Sequence, residues 1–336
     1  MNTTETIKSL LKERILVLDG AMGTMIQRYP FDEAAFRGDR FKDWPSPVKG
    51  NNDLLSLTQP DTIRTIHTQY LEAGADILET NTFSSTTVAM ADYGMEALAY
   101  ELNVAGARLA KEACVAYMEA HPGTIKFVAG AIGPTNKTTS ISPDINNPAF
   151  RAITFNELKE AYTEQIEGLI DGGADILLVE TVFDTLNAKA ALFAIEEVKE
   201  ARNIDIPVMV SGTITDASGR TLSGQTPEAF LVSLEHFPLI SIGFNCALGA
   251  RQLAPYLEIL SQHTDIAISA YPNAGLPNAF GQYDETPELM AEQVHDYLEK
   301  GIINIIGGCC GTTPEHIRAL ADLAARYAPR KTEEAH

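Results

Sequence analysis

Short apolar runs recur along the chain, separated by longer stretches in which apolar positions return every three or four residues. The runs lie over residues 15–19, 76–80, 126–132, 175–180, 207–211, 239–243, 266–270 and 302–306. Bounded by glycine or polar residues, they predict strands buried on both faces, as in parallel sheets. The stretches between them predict helices over residues 62–73, about 95–120, 156–172, 184–201, 228–235, 248–262 and 288–300. A lead-in helix over 6–14 precedes the first strand, and a last helix runs to about Ala328. Residues 27–60 break the rhythm: rich in aromatic residues and proline, they read as an irregular excursion or lid. Residues 329–336 read as a frayed polar tail.

Local chemistry supports this register. Thr226-Pro227-Glu228, Thr286-Pro287-Glu288 and Thr313-Pro314-Glu315 each offer a capping hydroxyl, a proline at the first helical position and an acid in the first turn. Gly74, Gly173 and Gly301 each follow a helix and precede a strand, where a left-handed C-terminal residue is needed. The phrase Gly-Ala-Asp-Ile-Leu occurs at 74–78 and again at 173–177, marking a repeated helix-strand unit. Eight such units favour a closed (β/α)8 barrel in one domain, residues 15–328, over an open doubly wound sheet. In a barrel all the strand C-termini open on one face, where functional groups gather.

Composition narrows the function. The 336 residues are 45% hydrophobic and 21% charged, with a formal net charge of −20. That charge repels phosphate backbones, and no basic patch offsets it, so no nucleic-acid partner is expected. No apolar run reaches membrane-spanning length, and no secretory leader is visible. Four cysteines in such a chain point to a reducing, cytoplasmic setting and to metal or catalytic roles rather than disulfides.

Three of those cysteines stand at predicted strand ends. Cys246 follows the sixth strand in Gly243-Phe244-Asn245-Cys246, and Cys309 and Cys310 follow the eighth in Gly307-Gly308-Cys309-Cys310-Gly311-Thr312. Strands six and eight flank strand seven, so the three sulfurs can converge. Soft thiolates suit zinc, and three protein ligands leave a fourth position for substrate. A metal so rich in thiolate favours activation of a substrate thiol over that of water. The competing reading of Cys309-Cys310 is a glycine loop that grips phosphate after the last strand. Cys114, inside a helix, reads as a packed core thiol.

Asp19 and Glu180 end the first and fourth strands at the same mouth. They read either as caps on loop amides or as the seat of a substrate ammonium, with the amides of Gly20-Ala21-Met22-Gly23 holding its carboxylate. Glu79 and Thr80 end the second strand with less to distinguish them. No histidine falls at a predicted strand end, which argues against a Ser-His-Asp hydrolase.

The runs Asp19-Gly20-Ala21-Met22-Gly23-Thr24, Gly243-Phe244-Asn245-Cys246 and Gly307-Gly308-Cys309-Cys310-Gly311-Thr312 resemble the motifs of the homocysteine S-methyltransferase family over about residues 10–328. Gly50-Asn51-Asn52-Asp53, Glu79-Thr80-Asn81-Thr82-Phe83, Thr213-Ile214-Thr215-Asp216-Ala217-Ser218-Gly219-Arg220 and Pro272-Asn273-Ala274-Gly275-Leu276-Pro277-Asn278 resemble, within it, the homocysteine-binding module of cobalamin-dependent methionine synthases. The resemblance implies zinc on Cys246, Cys309 and Cys310, and L-homocysteine with its amino-acid end near Asp19, Gly20, Ala21, Met22 and Glu180. It implies methyl transfer from methylcobalamin carried by a partner module or chain, with methyltetrahydrofolate bound elsewhere in the assembly. A stand-alone methyltransferase using a sulfonium or betaine donor, and a non-catalytic zinc- or thiol-binding subunit, are the alternatives.

Overall fold

The apolar runs form eight strands in the computed structural model, which describes residues 2–332: β1 Leu16–Val17, β2 Ile77–Glu79, β3 Phe127–Ile132, β4 Ile176–Val182, β5 Val208–Gly212, β6 Ser241–Gly249, β7 Ala267–Asn273 and β8 Ile305–Ile306. All pair in parallel, in the order β1-β8-β7-β6-β5-β4-β3-β2. A bridge from Leu18 to Ile77, with Asp19 N–H donating to Ile77 O at 3.0 Å, brings the two end strands together. The expected (β/α)8 barrel is the fold.

The continuous apolar runs conceal an alternation of two. Leu16, Leu18, Ile77, Ile176, Leu178, Met209 and Ile305 fill the barrel interior. Their neighbours Val17, Leu78, Leu177, Val210, Ile242 and Ile306 pack outward against the helices. Both faces are apolar because both are covered. The lead-in helix, Thr3–Glu13, starts three residues before its predicted position because Asn2 and Glu5 form a capping box. Ile7 and Leu11 on it belong to the interior cluster and close the end opposite the mouth.

The repeated Gly-Ala-Asp phrase has a mechanical meaning. Gly74 and Gly173 take φ of 108° and 103° after their helices, and the aspartate two residues on reaches back to the preceding strand. Asp76 Oδ2 accepts from Val17 N–H at 2.9 Å, and its carboxylate is gripped by Arg14 at 2.8 and 2.9 Å. Asp175 accepts from Val128 N–H at 2.8 Å and pairs with Lys111 at 2.7 Å. Asn304 plays the same part for β7, accepting from Ile268 N–H at 2.9 Å. Side chains at the start of β2, β4 and β8 thus lock each to its predecessor and satisfy a buried amide at the strand's edge.

Two expectations change. Residues 27–60, expected as an irregular excursion or lid, carry only short helices but form a packed wall: Phe36, Phe41, Val48, Leu54 and Leu55 are buried in the outer core. Trp44 Nε1–H donates to Tyr93 O at 2.8 Å, and the Glu33 carboxylate accepts from the amides of Val48 and Lys49. The last helix ends at Ala324, and Arg330, expected in a frayed tail, is buried. Its guanidinium donates to the carbonyls of Ser261, Thr264 and Ile266, which fastens the chain beneath β7. Residues 333–336 of the expected tail lie outside the described residues.

Replacing Asp76 by alanine strips Arg14 and the buried Lys126 of a partner and orphans the Val17 amide. The expected loss is about 3 kcal/mol, against roughly 1–2 kcal/mol for Asp175→Ala, whose lysine is more exposed. Urea denaturation of both variants measures this order.

Candidate metal and amino-acid site

Ordinary alternation along β6 places Asn245 inward, like Ser241 and Gly243, and would send Cys246 outward with Ile242 and Phe244. The backbone prevents that. Cys246 and Ala247 take φ of 60° and 58°, and the register with β7 shifts between Asn245 and Gly249. Two consecutive left-handed residues that are not glycine cost about 1–3 kcal/mol each, and a bulge of this kind re-aims a side chain. Sequence reading placed Cys246 just beyond a strand ending at 243. The strand instead continues through it to Gly249, and the bulge turns the thiol into the mouth.

The neighbouring side chain holds the distortion. Asn245 is fully buried; its Oδ1 accepts from Thr181 N–H at 3.1 Å and its Nδ2 donates to Thr181 Oγ1 at 2.8 Å. Thr181, itself at φ 55°, directly follows Glu180. The same Nδ2 lies 3.9 Å from Cys309 Sγ. Asn245 therefore ties together the three segments that carry the candidate ligands and the acid.

The cysteines after β8 are pinned by their backbone. Cys309 N–H donates to Pro272 O, Cys310 N–H to Asn273 Oδ1 and Gly311 N–H to Thr24 Oγ1. Gly311 sits at φ 80°, and a Cβ there would fall 2.2 Å from the Cβ of Tyr283. On β6, a Cβ at Gly243 would fall 1.7 Å from Ser269 O, so the approach of β6 to β7 requires glycine.

The result is a cluster of three sulfurs, all within 4.8 Å of one another, with Cys246 and Cys310 at 3.7 Å. Thiolates on one tetrahedral zinc with bonds near 2.3 Å stand roughly 3.8 Å apart, so the donor set fits that ion. The cluster is half-buried and borders a cavity of about 960 Å³, which leaves an open side for a fourth ligand. The three thiols share protons: the hydrogen bonds from Cys246 and Cys309 push Cys310 well down, while those with Cys246 and Cys310 push Cys309 up. Cys114 is a buried core thiol away from the site, as expected.

Beside the sulfurs lies a second group. Asp19 is 2% and Glu180 6% exposed, and Glu79 completes a trio at the ends of β1, β4 and β2. Asp19 Oδ2 accepts from Glu79 N–H at 3.0 Å, and Glu180 Oε2 accepts from Tyr271 O–H at 3.2 Å. Asp19 Oδ1 and Glu79 Oε1 have no hydrogen-bond partner among the described residues. Burial pushes all three carboxyls above the usual range, and Glu79 is raised further by the charges of Glu180 and Asp19. A buried acidic trio with orphaned oxygens is electrostatically incomplete, and a ligand ammonium would complete it.

Gly20, Ala21, Met22 and Gly23 line the same cavity. The Ala21 amide is engaged, donating to Thr312 Oγ1 at 3.2 Å, while Tyr70 O–H donates to Ala21 O at 2.9 Å. His316 borders the cavity with both ring nitrogens hydrogen-bonded, to Thr313 and to the Glu285 carbonyl. Sequence reasoning left Glu79 undistinguished and did not single out the side chains of Asn245 and Tyr271. Asn245 carried a faint signal, as the inward neighbour of a candidate ligand; Tyr271 carried none. The 213–220 run contributes no residue to the cavity lining.

Two comparisons bear on this arrangement. Residues 16–324 match the family model described as homocysteine S-methyltransferase. Among solved structures, the metallated form of the homocysteine methyltransferase MmuM from Escherichia coli is similar, with 24% identity and a TM-score of 0.72 over 96% of this chain and 99% of that one. The apo form of the same enzyme aligns with 26% identity and a TM-score of 0.65, over 94% and 97% of the two chains.

The acidic trio generates a pH dependence. Its folded pKa values lie above the ordinary range, so the folded chain keeps protons that the unfolded chain has released. That contribution to stability is full below about pH 4 and is lost as the pH rises through the raised values. Glu79→Gln removes one member. Its expected effects are a shallower fall in Tm as the pH rises above the ordinary carboxyl range and roughly tenfold weaker binding of an amino-acid ligand. Thermal denaturation and titration calorimetry read the two effects separately.

Proposed function

Because the chain belongs to the homocysteine S-methyltransferase family, we propose that it methylates the thiol of L-homocysteine to give L-methionine, with methylcobalamin on a partner module or chain as the methyl donor. The observation that carries this reading is the juxtaposition of three convergent thiols with an uncompensated acidic trio at one cavity. A ligand with a thiol at one end and an ammonium at the other matches both groups. The donor's identity rests on the resemblance of the 50–53, 79–83, 213–220 and 272–278 runs to cobalamin-dependent enzymes.

Cys246, Cys309 and Cys310 would hold zinc. Bound there, the metal supplies a positive centre that keeps a thiol deprotonated near neutral pH. Asp19, Glu79 and Glu180 hold the substrate ammonium, and the turn Gly20-Ala21-Met22 lies where its carboxylate ends. Held at both ends, the substrate presents its sulfur to the open cavity. The sulfur lone pair forms the new S–CH3 bond while the donor–methyl bond breaks, its electron pair staying with the donor. Orientation of this kind supplies much of the acceleration of a two-substrate displacement.

The test is methionine formation from L-homocysteine and free methylcobalamin, with zinc-loaded protein and with chelator-stripped protein. Activity is expected only with the metal and should return when zinc is restored. Cys246→Ala should lose metal retention and turnover together; a metal-free but fully active variant would sink the reading. Sulfonium and betaine donors, run in parallel without cobalamin, identify a stand-alone enzyme if they turn over instead.

A further inference from the structure

Glu180 is held from the barrel side by two residues that stand next to each other. Asn245 and Tyr271 are cross-strand partners on β6 and β7. Asn245 grips Thr181, the residue after Glu180, and Tyr271 O–H donates to Glu180 Oε2 at 3.2 Å. The grip falls where β4 leaves its regular pairing: its register with β5 shifts between Val179 and Val182, and Thr181 takes φ of 55°. A bulge frees a side chain from the alternation of its strand, so the aim of the Glu180 carboxylate depends on what bonds to it.

Tyr271 is set apart from the residues that can meet a ligand. It is 1% exposed and belongs to the interior cluster with Met209 and Ile305. Glu180 lines the cavity, and Tyr271 does not. Among the described residues no other side chain donates a hydrogen bond to Asp19, Glu79 or Glu180; Asp19 is met by the backbone N–H of Glu79. The Ser211 hydroxyl lies beside the phenol and has no hydrogen-bond partner of its own among the described residues. A phenol buried this deeply needs a partner for its O–H, and the partner here is the acid.

We propose that Tyr271 is the positioning residue of the amino-acid end: its phenol fixes the Glu180 carboxylate from inside the barrel, and so selects thiols that carry an amino group over thiols that do not. The inference rests on the methyl-transfer reading above and deepens its substrate side. Tyr271 acts only through one oxygen of Glu180. A hydrogen bond to a carboxylate is strong and directional, so losing it loosens the ammonium contact and leaves the thiol contact alone. A phenol that merely filled the barrel interior would support both ends of the site equally.

Two thiols separate these roles. Zinc-loaded protein is titrated calorimetrically with L-homocysteine and with 4-mercaptobutanoate, which keeps the thiol and carboxylate and lacks the amino group. The wild-type protein is expected to prefer homocysteine. Tyr271→Phe, which keeps the ring, should weaken homocysteine about tenfold and leave 4-mercaptobutanoate within about twofold, with zinc content unchanged. Ser211→Ala should narrow the same ratio by a smaller factor. In a Glu180→Gln background Tyr271→Phe should add nothing further, because its effect runs through that carboxylate. Equal weakening of both thiols, zinc loss on Tyr271→Phe, additivity with Glu180→Gln, or a ratio insensitive to both Tyr271→Phe and Ser211→Ala overturns the inference and leaves the methyl-transfer reading standing. A wild-type protein that binds neither thiol overturns both. The expected loss of selectivity in a protein that makes no methionine with any donor supports the positioning role and retires the reaction alone.

Discussion

Three sulfurs from two strands that are not neighbours must meet at one point, and most of the mouth is arranged around that demand. β6 and β8 are separated by β7, so Cys246 can reach Cys310 only if β6 abandons its regular pleat. It does so through two left-handed residues in succession, a conformation that only surrounding structure can impose. The Asn245–Thr181 pair supplies that constraint, and Pro272, Asn273 and Thr24 supply it for the other two cysteines. Strain of this kind is tolerable because the barrel beneath is over-determined. Both faces of every strand are packed, and the Asp76, Asp175 and Asn304 clamps hold neighbouring strands in register.

The same mouth carries a second cost. Three carboxyls are buried beside one another, with two orphaned oxygens and no cation paired to them among the described residues. Burying such a group costs stability, and the ammonium of the proposed substrate would offset that cost. The strained thiol cluster and the acidic trio share one logic. Each is unfavourable alone, and the bifunctional substrate proposed above would satisfy both. Asn245 links the two, since it grips the residue after Glu180 and approaches the sulfur of Cys309.

Much of the fold was legible in the chain because barrel strands are buried on both sides. Double burial writes itself as continuous apolar runs, and the glycine and Thr-Pro-Glu punctuation between them marks the helix ends by strictly local rules. The repeat at 74–78 and 173–177 was visible too, though not what its aspartate does. That depends on an amide in the preceding strand, a partner far away in sequence. The packing of the wall at 27–60 was not legible for a related reason. Its Phe36, Phe41 and Val48 are irregularly spaced and join the outer core through partners distant in the chain.

Residue type alone determined the chemistry available here: three thiols, a set of acids and a near absence of basic groups around them. It also determined the barrel, since local periodicity and capping act over a few residues. The tertiary structure decided the rest. It turned Cys246 inward against the alternation of its own strand, brought Glu79 beside Asp19 and Glu180, and laced residues 50–53 to 81–85 into one surface. Each of these depends on backbone distortion or long-range hydrogen bonds, whose energies are set by partners that no local window of the chain contains.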